Sequence, residues 1–156
     1  MSAISSLAET PDRIKKAFAS DTANSIGCYA VDLYLNGERT EIIIDDQFPV
    51  YGGSTDIACS SSLYNDIWLQ LLEKAWAKAN GGYDKIVFGL SSEVLKAVTG
   101  APTFTYDHDD FSKDEIYKQL KKAVSSGHTT LCSLDLESYT SKDSQYISNF
   151  SYNIIG

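Results

Sequence analysis

The sequence predicts an α+β protein, and three observations predict it. A long amphipathic helical repeat occupies the middle of the chain, a strand pair joined by Asn36-Gly37 precedes it, and alternating strand-like runs come after Gly127. The chain has 156 residues, 43% apolar and 22% charged, which is the composition of an ordinary globular protein. Its 13 Lys and Arg against 21 Asp and Glu leave a formal charge of −8. That charge repels a nucleic-acid backbone and an anionic bilayer at long range, so no nucleic-acid partner is expected. No run approaches the roughly 18 uninterrupted apolar residues of a membrane span. Residues 1–19 carry Glu9, Asp12, Arg13, Lys15 and Lys16 where a secretory signal would have an apolar core. Cys28, Cys59 and Cys132 are odd in number, widely spaced and form no C-x-x-C pair. They read as reduced thiols of a cytoplasmic protein rather than as a disulfide framework or a zinc site.

Each element has its own local pattern. Residues 2–9 (SAISSLAE) suit a short helix. Thr10-Pro11 then supplies an N-cap hydroxyl and a first-turn proline for a second helix over 12–19, with Ile14, Ala17 and Phe18 at i, i+3 and i+4. Residues 28–35 alternate, placing Tyr29, Val31, Leu33 and Leu35 on one face. Asn36-Gly37 suits the positive φ angles of a two-residue type I′ turn, and 38–44 returns as the partner strand. Residues 45–54 (DDQFPVYGGS) break the pattern as a polar connection.

The strongest helix carries Leu63, Ile67, Trp68, Leu71, Leu72, Ala75, Trp76 and Ala79 on one stripe. Ser61 or Ser62 caps its start, Asp66 favours its N-terminal end, and Gly81 or Gly82 terminates it. Its two tryptophans mark it as the core helix. A shorter helix over 91–98 is stopped by Thr99-Gly100-Ala101-Pro102, and Ser112 with Glu115 forms a capping box for a helix over 112–125. Residues 129–136 and 145–155 read as strands around a polar loop. The helix-rich first two thirds and the strand-rich remainder suggest two subdomains divided near Gly100.

Few residues offer catalytic chemistry. The chain has two histidines, His108 and His128, and neither has neighbours that complete a catalytic signature. His128 and Cys132 share a face if the strand reaches back to His128. Four strand steps of roughly 3.3 Å nevertheless separate them by about 13 Å, too far for the hydrogen bond that activates a thiol. A buried thiol and a loop histidine are the plainer reading. Asp107-His108-Asp109-Asp110 gathers oxygen ligands for a hard cation but lacks the glycine and distal glutamate of an EF-hand loop. A solvated linker ahead of a capped helix accounts for it better. Asp45 and Asp46, adjacent at a strand end, point apart and suit turn chemistry rather than acid–base work.

Taken in order, the segments SAISSLAETPDRI, LNGERTEIIIDDQFP, DIWLQLLEKAWAKANGGYDKIVFG, AVTG and YNIIG resemble the calpain-type cysteine protease core. The matching segments run from the first residues to the last, and the stretch from Trp68 to Gly81 is highly specific. The resemblance implies a papain-like fold, with 1–100 as the helical first half of the core and 101–156 as the beginning of its β-rich second half. It implies an endopeptidase built on cysteine, histidine and asparagine, acting on protein or peptide, with calcium aligning the two halves in many members.

The family's functional residues carry over incompletely. Its nucleophilic cysteine heads the helix that a segment like residues 2–9 continues, so by this register its place falls a few residues before Met1. Its histidine lies in a Gly-His-Ala-Tyr strand, and the resembling stretch Asn149-Phe150-Ser151-Tyr152 puts Phe150 at that place. The place of the asparagine falls after Gly156. The substrate-backbone loop has two glycines, matched here by Phe88-Gly89, so Gly89 keeps the substrate-binding position and Phe88 departs from the pattern. Asp66 stands where the family has an acidic calcium ligand, the other ligands belonging to sequence upstream of the nucleophile.

A phenylalanine ring has no titratable nitrogen and can neither accept the thiol proton nor protonate the leaving amine. The expectation is therefore no peptidase activity at any calcium concentration. The chain is then an incomplete piece of a calpain-like protease, a pseudoprotease retained for binding peptide or protein, or both; a plain structural domain is the third alternative. No cofactor is required by the sequence, and calcium enters by the resemblance alone. The strand over 145–155 is expected to lie at an edge that invites self-association.

Overall fold

Asn36 and Gly37 adopt φ angles of 53° and 87°, the pair of positive values that a type I′ turn requires. They join β1 (Cys28–Leu35) to β2 (Glu38–Asp45) in an antiparallel hairpin, with Leu35 opposite Glu38 and Cys28 opposite Asp45. The computed structural model describes residues 2–20, 22–60, 66–87, 89–134 and 150–154. They fall into two compact units, residues 3–103 and 104–156.

The hairpin organises the first unit. Its alternation sends Tyr29, Val31, Leu33 and Ile44 into the core, where they meet Ile4 and Leu7 of α1 (Ser2–Leu7) and Ile14 of α2 (Pro11–Lys15). Thr10 sits in extended backbone ahead of α2, but its hydroxyl makes no cap bond. The helix also stops at Lys15, short of the expected residue 19, because pairing with β1 claims residues 17–19. Asp32 N donates to Ala17 O at 2.8 Å, Ala19 N donates to Ala30 O at 3.1 Å, and Phe18 bridges to Val31. Ladder bonds along the edge of β1 replace a final helical turn that has few residues to propagate it.

Helix α3 (Trp68–Asn80) packs on both strands, and α4 (Ser91–Thr99) packs on β1. The described helix begins at Trp68, so Asp66 precedes it rather than occupying its first turn. The expected caps Ser61 and Ser62, and Leu63 of the expected stripe, lie outside the described residues. Gly81, at φ 92°, ends α3, and Gly82 N donates back to Ala77 O at 2.8 Å in a Schellman closure. Leu69, Leu71, Leu72 and Ala75 supply its buried apolar face, whereas Trp68 and Trp76 are half-buried at the margin of the core. Two lysines tie the helix to the hairpin. Lys74 Nζ bonds Asp45 Oδ1 at 2.5 Å and also Gln47 O, and Lys78 Nζ bonds Ile43 O at 2.7 Å. Gln47 N donates to Asp45 Oδ1 as well, so this carboxylate does turn chemistry, as its place at a strand end suggests.

The second unit begins with α5 (Lys113–Ser125), capped as its sequence dictates. Glu115 N donates to Ser112 Oγ at 3.4 Å, and Ser112 N donates to Glu115 Oε2 at 3.0 Å. β3 (Leu131–Leu134) and β4 (Phe150–Asn153) pair antiparallel, Leu134 opposite Phe150 and Cys132 opposite Tyr152. The other parts of the expected strands, 135–136, 145–149 and 155, lie outside the described residues. β3 does not reach back to His128, whose N–H donates to Ala123 O at 3.0 Å and closes α5. Cys132 is exposed, not the buried thiol expected. Among the described residues no helix is long and apolar enough to cross a membrane.

Candidate functional site

The three positions singled out by the resemblance lie in unlike settings. Gly89 is an exposed residue two places ahead of α4, and a Cβ built on it meets nothing within 4 Å. Among the described residues, neither a turn nor a close neighbour calls for glycine there. Phe88 lies outside the described residues. Phe150 heads β4; its backbone is described and its ring is not. Asp66 is half-buried, and its Oδ1 is shielded from solvent with no hydrogen-bond partner among the described residues. One orphaned carboxylate oxygen fits a single calcium ligand, but calcium takes about six to eight oxygens. Among the described residues no group of three or more His, Cys, Asp or Glu side chains could hold a metal ion. These residues by themselves do not make a calcium cage.

Within the second unit, among the described residues, no hydrogen bond joins Cys132 to His108 or His128, so these groups form no catalytic pair. Cys59, half-buried, is pushed up from its ordinary pKa by burial and by the charge of Glu73, which lowers its thiolate fraction. The run at 107–110 is an Asx turn: Asp107 Oδ1 accepts from Asp109 N at 3.0 Å, and its carbonyl accepts from Asp110 N and Phe111 N.

A side of α3 that the apolar stripe does not include lines a partly open cleft. Gln70, Glu73 and Ala77 recur at i, i+3 and i+7 and are all buried, opposite the loop at residues 58–60 and the single 3₁₀ turn Tyr83–Lys85. Glu73 Oε2 accepts from Ser60 N at 2.7 Å. Ala58, Glu73, Tyr83, Asp84, Ile86 and Val87 line a cleft of about 410 Å³, and Val87 stands two residues from Gly89. The Tyr83 hydroxyl is shielded and has no hydrogen-bond partner among the described residues. Burial first, and then the charges of Cys59, Glu73 and Asp45, push it up to about 12. In the sequence Glu73 stands out only as part of a family motif; its i, i+3, i+7 relation to Gln70 and Ala77 is the signal that could have marked it.

Comparison with known proteins agrees with the resemblance. The family described as Calpain family cysteine protease matches residues 1–156. The calpain-1 catalytic subunit of Mus musculus is 32% identical over 136 residues, covering 83% of this chain and 18% of that protein. Its counterpart in Rattus norvegicus is 33% identical over 123 residues, 75% of this chain and 17% of the relative. In Homo sapiens the figures are 33% over 112 residues, 72% and 15%. The chain thus corresponds to less than a fifth of the length of these relatives. With a match along its whole length, and with the expected hairpin, helices and capping box in place, this chain belongs to the calpain family of cysteine proteases.

Proposed function

We propose that this chain is a catalytically inactive calpain protease segment, papain-like in fold, whose remaining activity is to bind polypeptide. The carrying observation is Phe150 at the place of the family's histidine. An aromatic hydrocarbon there leaves the thiol proton without an acceptor and the leaving amine without a donor. Triad members act as a unit, and loss of the base alone typically costs on the order of 10⁶ in turnover. The test is hydrolysis of an unfolded casein-type substrate, with and without calcium. No cleavage is expected; cleavage abolished by a thiol alkylator overturns the reading.

Polypeptide binding is supported by Gly89. The residue is exposed and a side chain there would meet none of the described residues, so the room it leaves is suited to a ligand's main chain. Asp66 is proposed as a calcium ligand only together with oxygens that the isolated chain does not itself supply. Three free thiols favour a reducing compartment, the cytoplasm. Self-association through β4 completes the reading. Sedimentation at rising concentration tests it, and a monomer throughout retires it.

A further inference from the structure

The cleft beside α3 holds a buried carboxylate that no described residue pairs with a counter-charge. Glu73 is 9% exposed and, among the described residues, receives one N–H, from Ser60. No ion pair reaches it among the described residues. Its helix neighbour Lys74 is committed to Asp45 and Gln47. Met1, Asp21, residues 61–65 (SSLYN) and Phe88, the residues of this unit outside the described part, contain no basic side chain. Buried carboxylates are ordinarily paired or ligated, because one hydrogen bond offsets only part of their lost hydration.

The walls select the counter-charge. The volume of about 410 Å³ lies within the range of small-ligand sites. Glu73 and Asp84 disfavour an anion, and no cluster of three ligating side chains is present among the described residues for a divalent metal. An ammonium group offers three N–H donors, matching the Glu73 and Asp84 carboxylates and the partnerless Tyr83 oxygen. Ala58, Ile86 and Val87 supply apolar surface for a methylene stem. Asp84 is already paired with Lys85 at 2.8 Å, but both side chains are mostly exposed, so that pair is weak and exchangeable. Val87 is a wall of the cleft and, like Leu90, an exposed apolar neighbour of Gly89. A main chain lying on Gly89 would therefore deliver a side chain into the cleft.

We propose that the cleft between α3 and the Tyr83–Lys85 turn is a binding site for a primary alkylammonium group, presented by a lysine side chain of a bound polypeptide. The lysine carrier rests on the polypeptide-binding reading; the ammonium site does not. The test is a heteronuclear NMR titration of the full chain with n-butylammonium chloride, against n-butanol at matched ionic strength. Saturating shifts at Ala58, Ile86 and Val87 are expected, with butanol weaker by about tenfold or more. Glu73→Gln is expected to weaken the amine by about tenfold, and Asp84→Asn by about threefold. Because Asp84 is exposed, the second variant stands even if the first fails to fold. Equal binding of butanol, absence of saturation, or wild-type affinity in the folded variants overturns the site. A lysine hexapeptide is expected to bind about tenfold more tightly than its norleucine counterpart. Equal peptide affinities alongside a saturable, Glu73-dependent amine overturn the carrier and not the site.

Discussion

Arg39 Nη2 lies 2.5 Å from Asp32 Oδ2, so an exposed guanidinium reaches along the hairpin to one of the buried carboxylates of the first unit. Asp32 stands opposite Glu41 in the ladder, a like-charged neighbour whose repulsion Arg39 offsets. The hydrogen bond and charge of Asp32 in turn hold the guanidinium above its ordinary pKa. Arg39→Ala leaves the Asp32 charge buried without its partner and is expected to lower Tm. Asp32→Asn on that background is expected to recover part of the loss. A double-mutant thermal series checks this, and additive losses would refute the coupling.

Acidification is expected to destabilise both units through named carboxylates. Lys74 first, and then the Gln47 N–H, hold Asp45 below its ordinary 3.8; the Ser112 side chain and backbone hold Glu115 below its ordinary 4.5. A depressed folded pKa contributes stability above the unfolded value and loses it as pH falls through the folded one. Urea midpoints should therefore hold steady down to about pH 5 and decline below about pH 4. Asp45→Asn and Glu115→Gln should each flatten that decline, and an unchanged slope would count against these groups.

Two glycines make a controlled pair. Gly100 has φ 68°, and a Cβ there would lie 2.9 Å from the Tyr34 ring. Gly100→Ala therefore combines left-handed strain of about 1 kcal/mol with a steric clash. Gly89→Ala meets neither cost and should leave Tm unchanged while weakening polypeptide binding. Differential scanning calorimetry with a peptide titration separates the two effects; loss of Tm in Gly89→Ala would disprove the claim that the position is structurally idle.

Leu72 is fully buried in the core, whereas Ile43 is 45% exposed on the hairpin. Leu72→Ala is expected to cost about 2–5 kcal/mol and Ile43→Ala less than about 0.5 kcal/mol. Chemical denaturation measures both, and comparable losses would mean that the buried side of the hairpin is misassigned.

Asp66 contributes one shielded, partnerless oxygen. Calcium at about 1 mM, a concentration that fills weak oxygen-built sites, is expected to leave Tm unchanged in the isolated chain. A rise in Tm abolished by Asp66→Asn would show instead that a complete cage forms.

Much of the fold was legible because its determinants are short-range. Asn36-Gly37 tolerates the positive φ angles that few other pairs do, so turn, register and buried face of the hairpin came together. Ser112 and Glu115 cap α5 through bonds spanning three residues, and Gly81 and Gly100 end their helices by the same local logic. The C-terminal end of α2 was not legible, since residues 17–19 exchange helix for bonds to β1 residues more than ten positions away.

The site divides the same way. From the sequence alone came the family and the proposed places of Phe150 and Gly89 in its motifs, because each is a matter of residue type at a motif position. Only the tertiary structure decided that Glu73 is buried with no cation beside it among the described residues, while Tyr83 and Asp84 share its cleft. Burial and charge pairing depend on which distant segments meet, and α3 meets the loop at residues 58–60 and the Tyr83–Lys85 turn only when the chain has folded.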